Sequence, residues 1–517
     1  MSWGSRCRRP SLAPGVVLAV TLTACAWIGA AFLDSRTAAG FGWANHDVAN
    51  ILYVGRAMRA GQRLYVDLVE LNPPAIFFFS EFAANVGQWL HVSPAHVYHG
   101  LVLLLAGFGT VVIQRSVAST RRPAAALLVG LSYLLVLLGG GLPGVQEFTH
   151  AFGQREQIFA LVFLPYLVWR LEGGPHAPTT SLMLCLLGYL STMKPHFMVL
   201  VGTVELVCWL DSRRVARRAW AELGAGALLP LMLLLLHSPR SVVALYTETI
   251  RYHLAGAYSY FDQPYPIFLR STPHRWLLGY AVALAYVLWP CLLGGTLPRR
   301  TRIGAVLLPL VAYALVVQQH KFWEYHSIVV VSLVVVLTYY LLATLLPRLP
   351  RDRARALFWL ATAALVVQLG AAMARFAEMT REWKRGERPD VLDLAPVLQG
   401  RHRVLYYSTS IQHMQLAFFL RQRIVGRWCH DATYPSIVRQ PDPEQRRRRL
   451  DAYCAEQREL IRRQQPEAIV FDATGQGLTA TDPDLFDTLV GRCAVVPLDE
   501  YVLVSTELER AAVFLHR

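Results

Sequence analysis

The sequence predicts an α-helical polytopic membrane protein of about eleven transmembrane helices, followed by a C-terminal soluble α/β domain. Hydrophobic residues make up 54% of the 517 residues, and the mean hydropathy of +0.34 is well above that of soluble proteins. Many apolar runs approach the ~20 residues that a helix needs to cross a bilayer, and runs of this length favour helices over a barrel. After residue 375 the pattern changes to charged stretches and short β-rich runs.

Eleven apolar segments are candidate crossings. They are residues 14–33, 97–114, 124–142, 157–170, 179–193, 196–210, 219–237, 275–294, 303–319, 327–346 and 356–375. The segment 75–90 is also apolar, but it is short and contains Glu81, so we expect an interfacial or re-entrant helix there. The first segment continues for eight residues past a cleavage-like box that ends at Cys25. We therefore favour an uncleaved first helix over a cleaved signal peptide.

The arginines set the orientation of these segments. With the N-terminus inside, the basic clusters of the short loops all fall on the cytoplasmic side, as the positive-inside rule requires. Counting 75–90 as a crossing would move every cluster after the first one outside. The outer face then carries the loops 34–96, 143–156 and 238–274 and the tail from 376. Most of the net charge of +15 lies in the short loops between apolar segments, where it indicates topology and contact with lipid headgroups, so we expect no nucleic-acid partner.

We expect two domains, a transmembrane catalytic domain over 1–375 and an outer-face α/β domain over 376–517. Strands of the second domain are predicted at 404–408, 468–472, 493–498 and 501–505, and a helix over 444–465. Cys429, Cys454 and Cys493 lie in this domain. One disulfide could form among them if the domain is exported, but the sequence does not pair them.

The outer loop 34–96 is the longest polar stretch beside the membrane. Asp47 follows the first apolar segment directly, and we expect it to be catalytic. The rest of the loop supplies four further candidates for contact with a substrate. They are Tyr53, Tyr65, Asp67 and Glu70.

The basic residues of the outer junctions form a second group. Only three of the 50 basic residues are lysines, and two of these, Lys194 and Lys321, lie in short junctions beside histidines. A compact ammonium suits a phosphate as a point charge, although snorkelling at a helix end is the alternative. The candidate donor-phosphate ligands are Arg155, Lys194, His320, Lys321 and His326. Glu156, beside Arg155, is a second candidate acid, and helix capping is the alternative for both.

These residue types suit the transfer of a group from a phosphate leaving group. A carboxylate takes the proton of an incoming hydroxyl or amine, which typically contributes ~10²–10⁴-fold to the rate. Cations stabilise the charge that develops on the departing phosphate.

The order of these elements resembles the GT-C superfamily of integral membrane glycosyltransferases. The first helix is followed by D-x5-Y (Asp47 to Tyr53), then by G-x3-Y (Gly61 to Tyr65) and the proline pair 73–74. A late K-x-x-x-Y-H element at 321–326 is also similar. The groups with the nearest architecture are the bacterial lipid A aminoarabinose transferases and the protein O-mannosyltransferases.

The resemblance implies an inverting transferase of the cell inner membrane that acts on the outer face. The donor would be a polyprenyl-phosphate sugar, and the acceptor an envelope glycolipid, polysaccharide or protein. It implies that Asp47 is the catalytic acid of the first outer loop, and that Glu156 or Glu147 replaces an aspartate common in the second. Some members bind a divalent metal and others need none, so no cofactor is assigned. Because Asp47 has no adjacent acid, we expect no metal site there.

Two other functions stay open on the sequence. One is a polyprenyl-linked glycan polymerase or ligase, which would use the same loops. The other is a non-enzymatic lipid or solute transporter. Transporters more often bury charged residues at mid-membrane and contain repeats, and Glu205 is the main residue here that fits that pattern.

Overall fold

The computed structural model describes residues 13–34, 44–118, 123–138, 152–250, 272–284, 297–319, 324–385, 394–408, 413–426, 440–472, 487–505 and 511–516, together with Pro266, Tyr434 and Ile437. These residues are mostly α-helical, with one small sheet near the C-terminus. The chain divides into two compact units, each assembled from separate parts of the sequence. Unit 1 contains Met1–Ala31, His99–Ala227 and Pro264–Met379. Unit 2 contains Phe32–Tyr98, Leu228–Gln263 and Thr380–Arg517.

A helix lies at each of the eleven predicted apolar segments, within the described residues. The helices up to residue 385 are α1 (Ala13–Asp34), α2 (His46–Arg59), α3 (Ala75–Trp89), α4 (Pro94–Ala118), α5 (Pro123–Leu137), α6 (Arg155–Glu172), α7 (Pro178–Ser191), α8 (Pro195–Ser212), α9 (Arg217–His237), α10 (Pro239–Ala244), α11 (Thr272–Ala283), α12 (Arg299–Gln319), α13 (Ile328–Leu345) and α14 (Arg351–Arg385).

Six of these helices are long and apolar enough to cross a bilayer, counting the described residues only. They are α1, α4, α9, α12, α13 and α14. Two more, α5 and α7, are apolar but shorter. A multi-pass membrane protein is therefore confirmed, whereas the count of eleven crossings stays a prediction. The 15-residue α3 is not among the six, and its predicted interfacial position also stays a prediction.

Unit 1 is a helical bundle in which α13 is the most buried of the candidate spans. Apolar residues cover all sides of α13, which packs against α5 and α6, while α12 packs against α8. Two glycines allow α7 and α9 to approach closely. A Cβ at Gly188 would overlap the carbonyl of Leu223, and a Cβ at Gly226 would overlap the carbonyl of Cys185. Small residues commonly serve this purpose between membrane helices.

The described C-terminal part of unit 2 contains a five-stranded sheet. Its strands are β1 (Arg403–Ser408), β2 (Arg423–Ile424), β3 (Ala468–Asp472), β4 (Tyr501–Ser505) and β5 (Ala511–His516), and the helices around it are α15 (Ala395–Leu398), α16 (Met414–Phe419) and α17 (Pro443–Gln464). The strand order is β2-β1-β3-β5-β4. The strand β1 runs parallel to β2 and β3, and β5 runs antiparallel to β3 and β4.

The predicted strand at 493–498 is wrong. A π-helix occupies Asp487–Arg492, and Cys493 after it is joined by a disulfide to Cys454 of α17. Ala494 then has a φ of +45°, which breaks an extended backbone, and Pro497 has no N–H for a ladder. The sheet is completed by β5 and the two-residue β2, which the sequence pattern did not indicate. The other three predicted strands are confirmed.

Helix α17 confirms the helix predicted over 444–465. Asp442 is its N-cap and accepts a hydrogen bond from the backbone N–H of Glu444 at 3.0 Å. Its apolar face packs on one side of the sheet, where it contributes Leu450, Tyr453 and Ile461 to the core. The arginines at 446–449 are exposed, so this face is solvated.

Candidate functional site

Unit 1 brings three of the predicted site residues together. The ammonium of Lys194 binds Glu156 Oε1, and His326 Nε2 lies 3.8 Å from the same oxygen. The side chains of Glu156 and His326 are 1% and 3% exposed, whereas that of Lys194 is 12% exposed. A buried carboxylate is thus compensated by a cation that keeps some access to solvent.

Local structure places each member of this group. Glu156 lies in the first turn of α6, where the helix dipole favours a negative charge. Gly153 turns the chain before α6 with a φ of +81°, and its N–H donates to Gln157 Oε1 at 2.7 Å. Lys194 is the N-cap of α8, and its extended backbone is the conformation that a following proline, here Pro195, imposes.

The third segment of the group is the 3₁₀ turn Glu324–Ser327 before α13. It places His326 beside Glu156 and puts the ring of Tyr325 5.6 Å from Lys194 Nζ, so the ammonium also has a cation–π contact. Arg155 is buried next to Glu156 in the chain. The other predicted ligands, His320 and Lys321, lie outside the described residues.

A small open cavity, with room for about one water molecule, lies beside His326. Its walls come from α8, α12 and α13, and are mainly apolar: Phe197, Leu200, Ala312, Leu315, Val316, Val329 and Val330. Three polar residues complete the lining: His196, Gln319 and His326. The sequence did not single out His196 as a site residue, although its position two residues after Lys194 was a usable signal.

Unit 2 holds Asp47, in the first turn of α2. The N-cap is Asn45, whose Oδ1 accepts a hydrogen bond from the N–H of Val48 at 2.9 Å. The Asp47 side chain is 12% exposed, and its Oδ2 lies 3.9 Å from His46 Nε2. The first turn of a helix is a position where the helix dipole interacts favourably with a negative charge.

Two of the predicted substrate-loop acids have partners within the loop. Asp67 accepts hydrogen bonds from Arg63 at its N–H (2.8 Å), Nε (2.9 Å) and Nη2 (2.8 Å). Glu70 is fully buried and accepts from the amides of Asn50 at 3.0 Å and Asn72 at 3.3 Å. These contacts shape the loop, and a substrate contact by either acid stays a prediction.

The two predicted loop tyrosines are buried as well. Tyr65 has a φ of +65° and donates from its hydroxyl to the carbonyl of Asn72 at 2.6 Å, which closes the turn. Burial raises the pKa of Tyr65 well above its ordinary value, and the charge of Glu70 acts in the same direction. The Tyr53 hydroxyl accepts a hydrogen bond from the N–H of Ile424 at 2.8 Å. Both side chains support the loop, and their contact with substrate stays a prediction.

Glu205 in unit 1 is also buried but has a complete set of partners. Its Oε1 accepts from the Tyr166 hydroxyl at 2.6 Å and its Oε2 accepts from Arg170 Nη2 at 2.8 Å. The charge is therefore compensated within the bundle. The carboxylate that best matched a transporter is part of a structural ion pair.

No family model matches the sequence. A search of curated proteins gives no significant match. Sixteen chains of solved structures match the fold. One is ArnT from Cupriavidus metallidurans bound to undecaprenyl phosphate, with a TM-score of 0.57 and 14% identity over 96% of this chain and 97% of that chain. Another is the same protein in the apo state, with a TM-score of 0.55 and 14% identity over 98% of both chains.

The chain therefore has the fold of ArnT, a GT-C glycosyltransferase, over nearly its full length. This confirms the fold that the Asp47 loop and the order of the helices led us to expect. At 14% identity the similarity establishes the fold and not the roles of individual residues.

Proposed function

We propose that this protein is an inverting glycosyltransferase that moves a sugar from a polyprenyl-phosphate donor to an envelope glycolipid, polysaccharide or protein acceptor. The observation that carries this proposal is the buried Glu156 paired with the partly accessible Lys194 in a chain of ArnT fold. The related structure holds undecaprenyl phosphate, which is a lipid of the class that the donor would release.

Lys194 is the donor-phosphate ligand in this proposal. The Glu156 carboxylate pairs with the Lys194 ammonium while no donor is bound, and the donor phosphate replaces that carboxylate as the partner of Lys194. Arg155 and His326, with His320 and Lys321, supply further positive or hydrogen-bonding groups for the same phosphate.

Asp47 is the proton acceptor. The acceptor hydroxyl or amine attacks the anomeric carbon, and its proton passes to the Asp47 carboxylate. The bond between the anomeric carbon and the phosphate oxygen breaks, and polyprenyl phosphate leaves with the electron pair. A single displacement of this kind inverts the anomeric configuration. Glu156, the second predicted acid, competes with the donor phosphate for Lys194 and is the alternative proton acceptor.

The reaction would take place on the outer face of the cell inner membrane, with the N-terminus cytoplasmic. The distribution of arginines supports this orientation. The Cys454–Cys493 disulfide supports it independently, because disulfides persist in oxidising compartments. Residues 376–517 would then be the outer-face domain that shapes the acceptor groove, and 1–375 the transmembrane catalytic domain.

The test is a transfer assay with the purified protein in proteoliposomes and labelled polyprenyl-phosphate sugars. Asp47→Asn should lower kcat by about 10²–10⁴-fold, because it removes the proton acceptor. The matched control is Asp352→Asn, which changes an exposed aspartate that is also in the first turn of a helix. Lys194→Ala should raise the donor KM, with Arg214→Ala, an exposed loop arginine, as its control.

The same assay separates the alternatives. Turnover only with pyrophosphate-linked oligosaccharides would identify a polymerase or ligase. Movement of labelled lipid without a change in its bonds would identify a transporter. Full turnover by Asp47→Asn would remove Asp47 from its role.

A further inference from the structure

Arg56 in α2 binds backbone carbonyls of a distant part of the chain. Its guanidinium donates hydrogen bonds to the carbonyls of Phe418 (2.8 Å), Ala417 (3.0 Å) and Gln422 (3.2 Å). Ala417 and Phe418 belong to the last turn of α16, and Gln422 follows it. The last carbonyls of a helix lack intrahelical partners and favour a cation, so Arg56 caps α16 from another part of the chain.

Two further hydrogen bonds join the same two segments of unit 2. The N–H of Ile424 in β2 donates to the Tyr53 hydroxyl at 2.8 Å. Gln415 Nε2 donates to the carbonyl of Ala44 at 2.7 Å, immediately before the N-cap Asn45. The chain from 44 to 56 is therefore held to 415–424 near both of its ends.

Aromatic rings enclose the guanidinium. The Arg56 Cζ lies 5.5 Å from the ring centroid of Tyr53 and 5.5 Å from that of Phe418. Burial lowers the pKa of Arg56, Tyr53 raises it and the nearby Arg421 lowers it, but a guanidinium keeps its proton at neutral pH. Three carbonyls and two ring faces match the planar, multi-donor fork of arginine and not the point charge of lysine.

The distance along α2 separates Arg56 from the chemistry. Nine residues of helix place it about 13 Å from Asp47, because the rise is about 1.5 Å per residue. It is therefore too far along the helix to touch a group that Asp47 deprotonates. It can act on Asp47 through the tilt of α2, and a displacement of about 1 Å at a reacting group can cost about 10²-fold in rate.

We propose that Arg56 is a positioning residue that fixes the Asp47 carboxylate by tying α2 to the 415–424 segment of the C-terminal region. This inference rests on the proposed function, because it gives the C-terminal region a part in the transfer reaction. By capping α16, Arg56 fixes α2 to the 415–424 segment, so that the two move together. Loosening it lets α2 tilt and misplaces its first turn.

The experiment compares Arg56→Gln with Arg59→Gln, a matched change one turn later at an exposed arginine of the same helix. Arg56→Gln should lower kcat about 10–100-fold and leave the donor KM within twofold, because it moves the proton acceptor and not the phosphate ligands. Arg56→Lys should recover part of the lost kcat. Hydrogen exchange of the α2 amides should quicken in Arg56→Gln and not in Arg59→Gln.

Several outcomes would overturn the inference. These are an Arg56→Gln variant with the kcat of Arg59→Gln, a loss of kcat without faster exchange in α2, or a rise in donor KM alone. If Arg56→Gln does not fold, Arg56→Lys and Tyr53→Phe provide the same comparison with smaller changes. Asp47→Asn separates the two proposals. A wild type without transferase activity would contradict the proposed function, and full turnover in Asp47→Asn would remove Asp47 from its role. An inactive Asp47→Asn beside a fully active Arg56→Gln would contradict the positioning role alone.

Discussion

Lys194, the N-cap of α8, binds Glu156 in the first turn of α6, and the two side chains differ in their access to solvent. The carboxylate side chain is 1% exposed and the lysine side chain 12%. Lys194 is thus the partner that a ligand can reach, while the buried carboxylate of Glu156 neutralises the lysine charge. In the proposed reaction, donor binding exchanges one anion on Lys194 for another. The affinity for donor would then depend on how strongly Glu156 holds the ammonium.

Substitutions of this pair should separate stability from donor binding. Removing one partner of a buried pair leaves an uncompensated charge, so Glu156→Gln should lower the free energy of unfolding by roughly 3 kcal/mol. The same change removes the anion that competes with phosphate, and the donor KM should fall. Thermal unfolding in detergent and donor titrations measure the two effects.

The double variant Glu156→Gln/Lys194→Met is the decisive control. It removes both charges together, so it should be more stable than Glu156→Gln alone. If the loss of unfolding free energy in the double variant equals the sum of the losses in Glu156→Gln and Lys194→Met, the two side chains do not interact energetically. A donor KM that rises in Glu156→Gln would show that the carboxylate helps donor binding directly.

Glu205 should matter for stability and not for transfer. Glu205→Gln breaks its pair with Arg170 and should destabilise the bundle by about 3 kcal/mol, since Arg170 is left without its carboxylate. The kcat per folded molecule should stay within twofold. The measurements are the unfolding temperature and the transfer rate corrected for the folded fraction. Loss of substrate movement with intact folding would instead favour the transporter.

The sequence indicated the helical framework well because apolar length is a local property. It also grouped Glu156, Lys194 and His326 as outer-face candidates, since each lies where an apolar segment begins or ends. What it could not indicate was their pairing, which depends on how α6, α8 and the turn before α13 pack. The contacts between Arg56 and α16 were equally hidden, because they join residues more than 350 positions apart. The strand β5 was also missed, although one of its two partners, β4, precedes it closely in the sequence.

Acid should weaken the sheet of the C-terminal region through Glu467. Burial acts to raise the pKa of Glu467, but hydrogen bonds from the His402 N–H and from Arg403 outweigh it and hold the pKa below its ordinary value. A carboxyl with a depressed folded pKa contributes stability above its unfolded pKa and loses it as the pH falls through the folded value. The contribution is therefore present at pH 7 and lost below about pH 4.

Glu467→Gln tests this directly, because glutamine resembles the protonated acid. The wild type should be more stable than the variant at pH 7, and the difference should vanish toward pH 3. Hydrogen exchange of β1 and β3 at several pH values measures it. Glu459→Gln is a matched control on α17, where the carboxylate pairs with arginines of its own helix and not with the sheet. A stability difference between the wild type and Glu467→Gln that grows in acid would contradict the depressed pKa of Glu467.

The Cys454–Cys493 disulfide should stabilise the C-terminal region and report its side of the membrane. It closes a loop with a sequence separation of 39, for which the chain-entropy model gives a stabilisation of about 4 kcal/mol. Cys454→Ser/Cys493→Ser should therefore speed hydrogen exchange in α17 and β3, and a reductant should do the same to the wild type. In intact cells, a membrane-impermeant maleimide should label this pair only after an impermeant reductant, with the double-serine variant as the control for other cysteines. Labelling that requires opening of the membrane would place the region on the cytoplasmic side and contradict the proposed outer-face reaction.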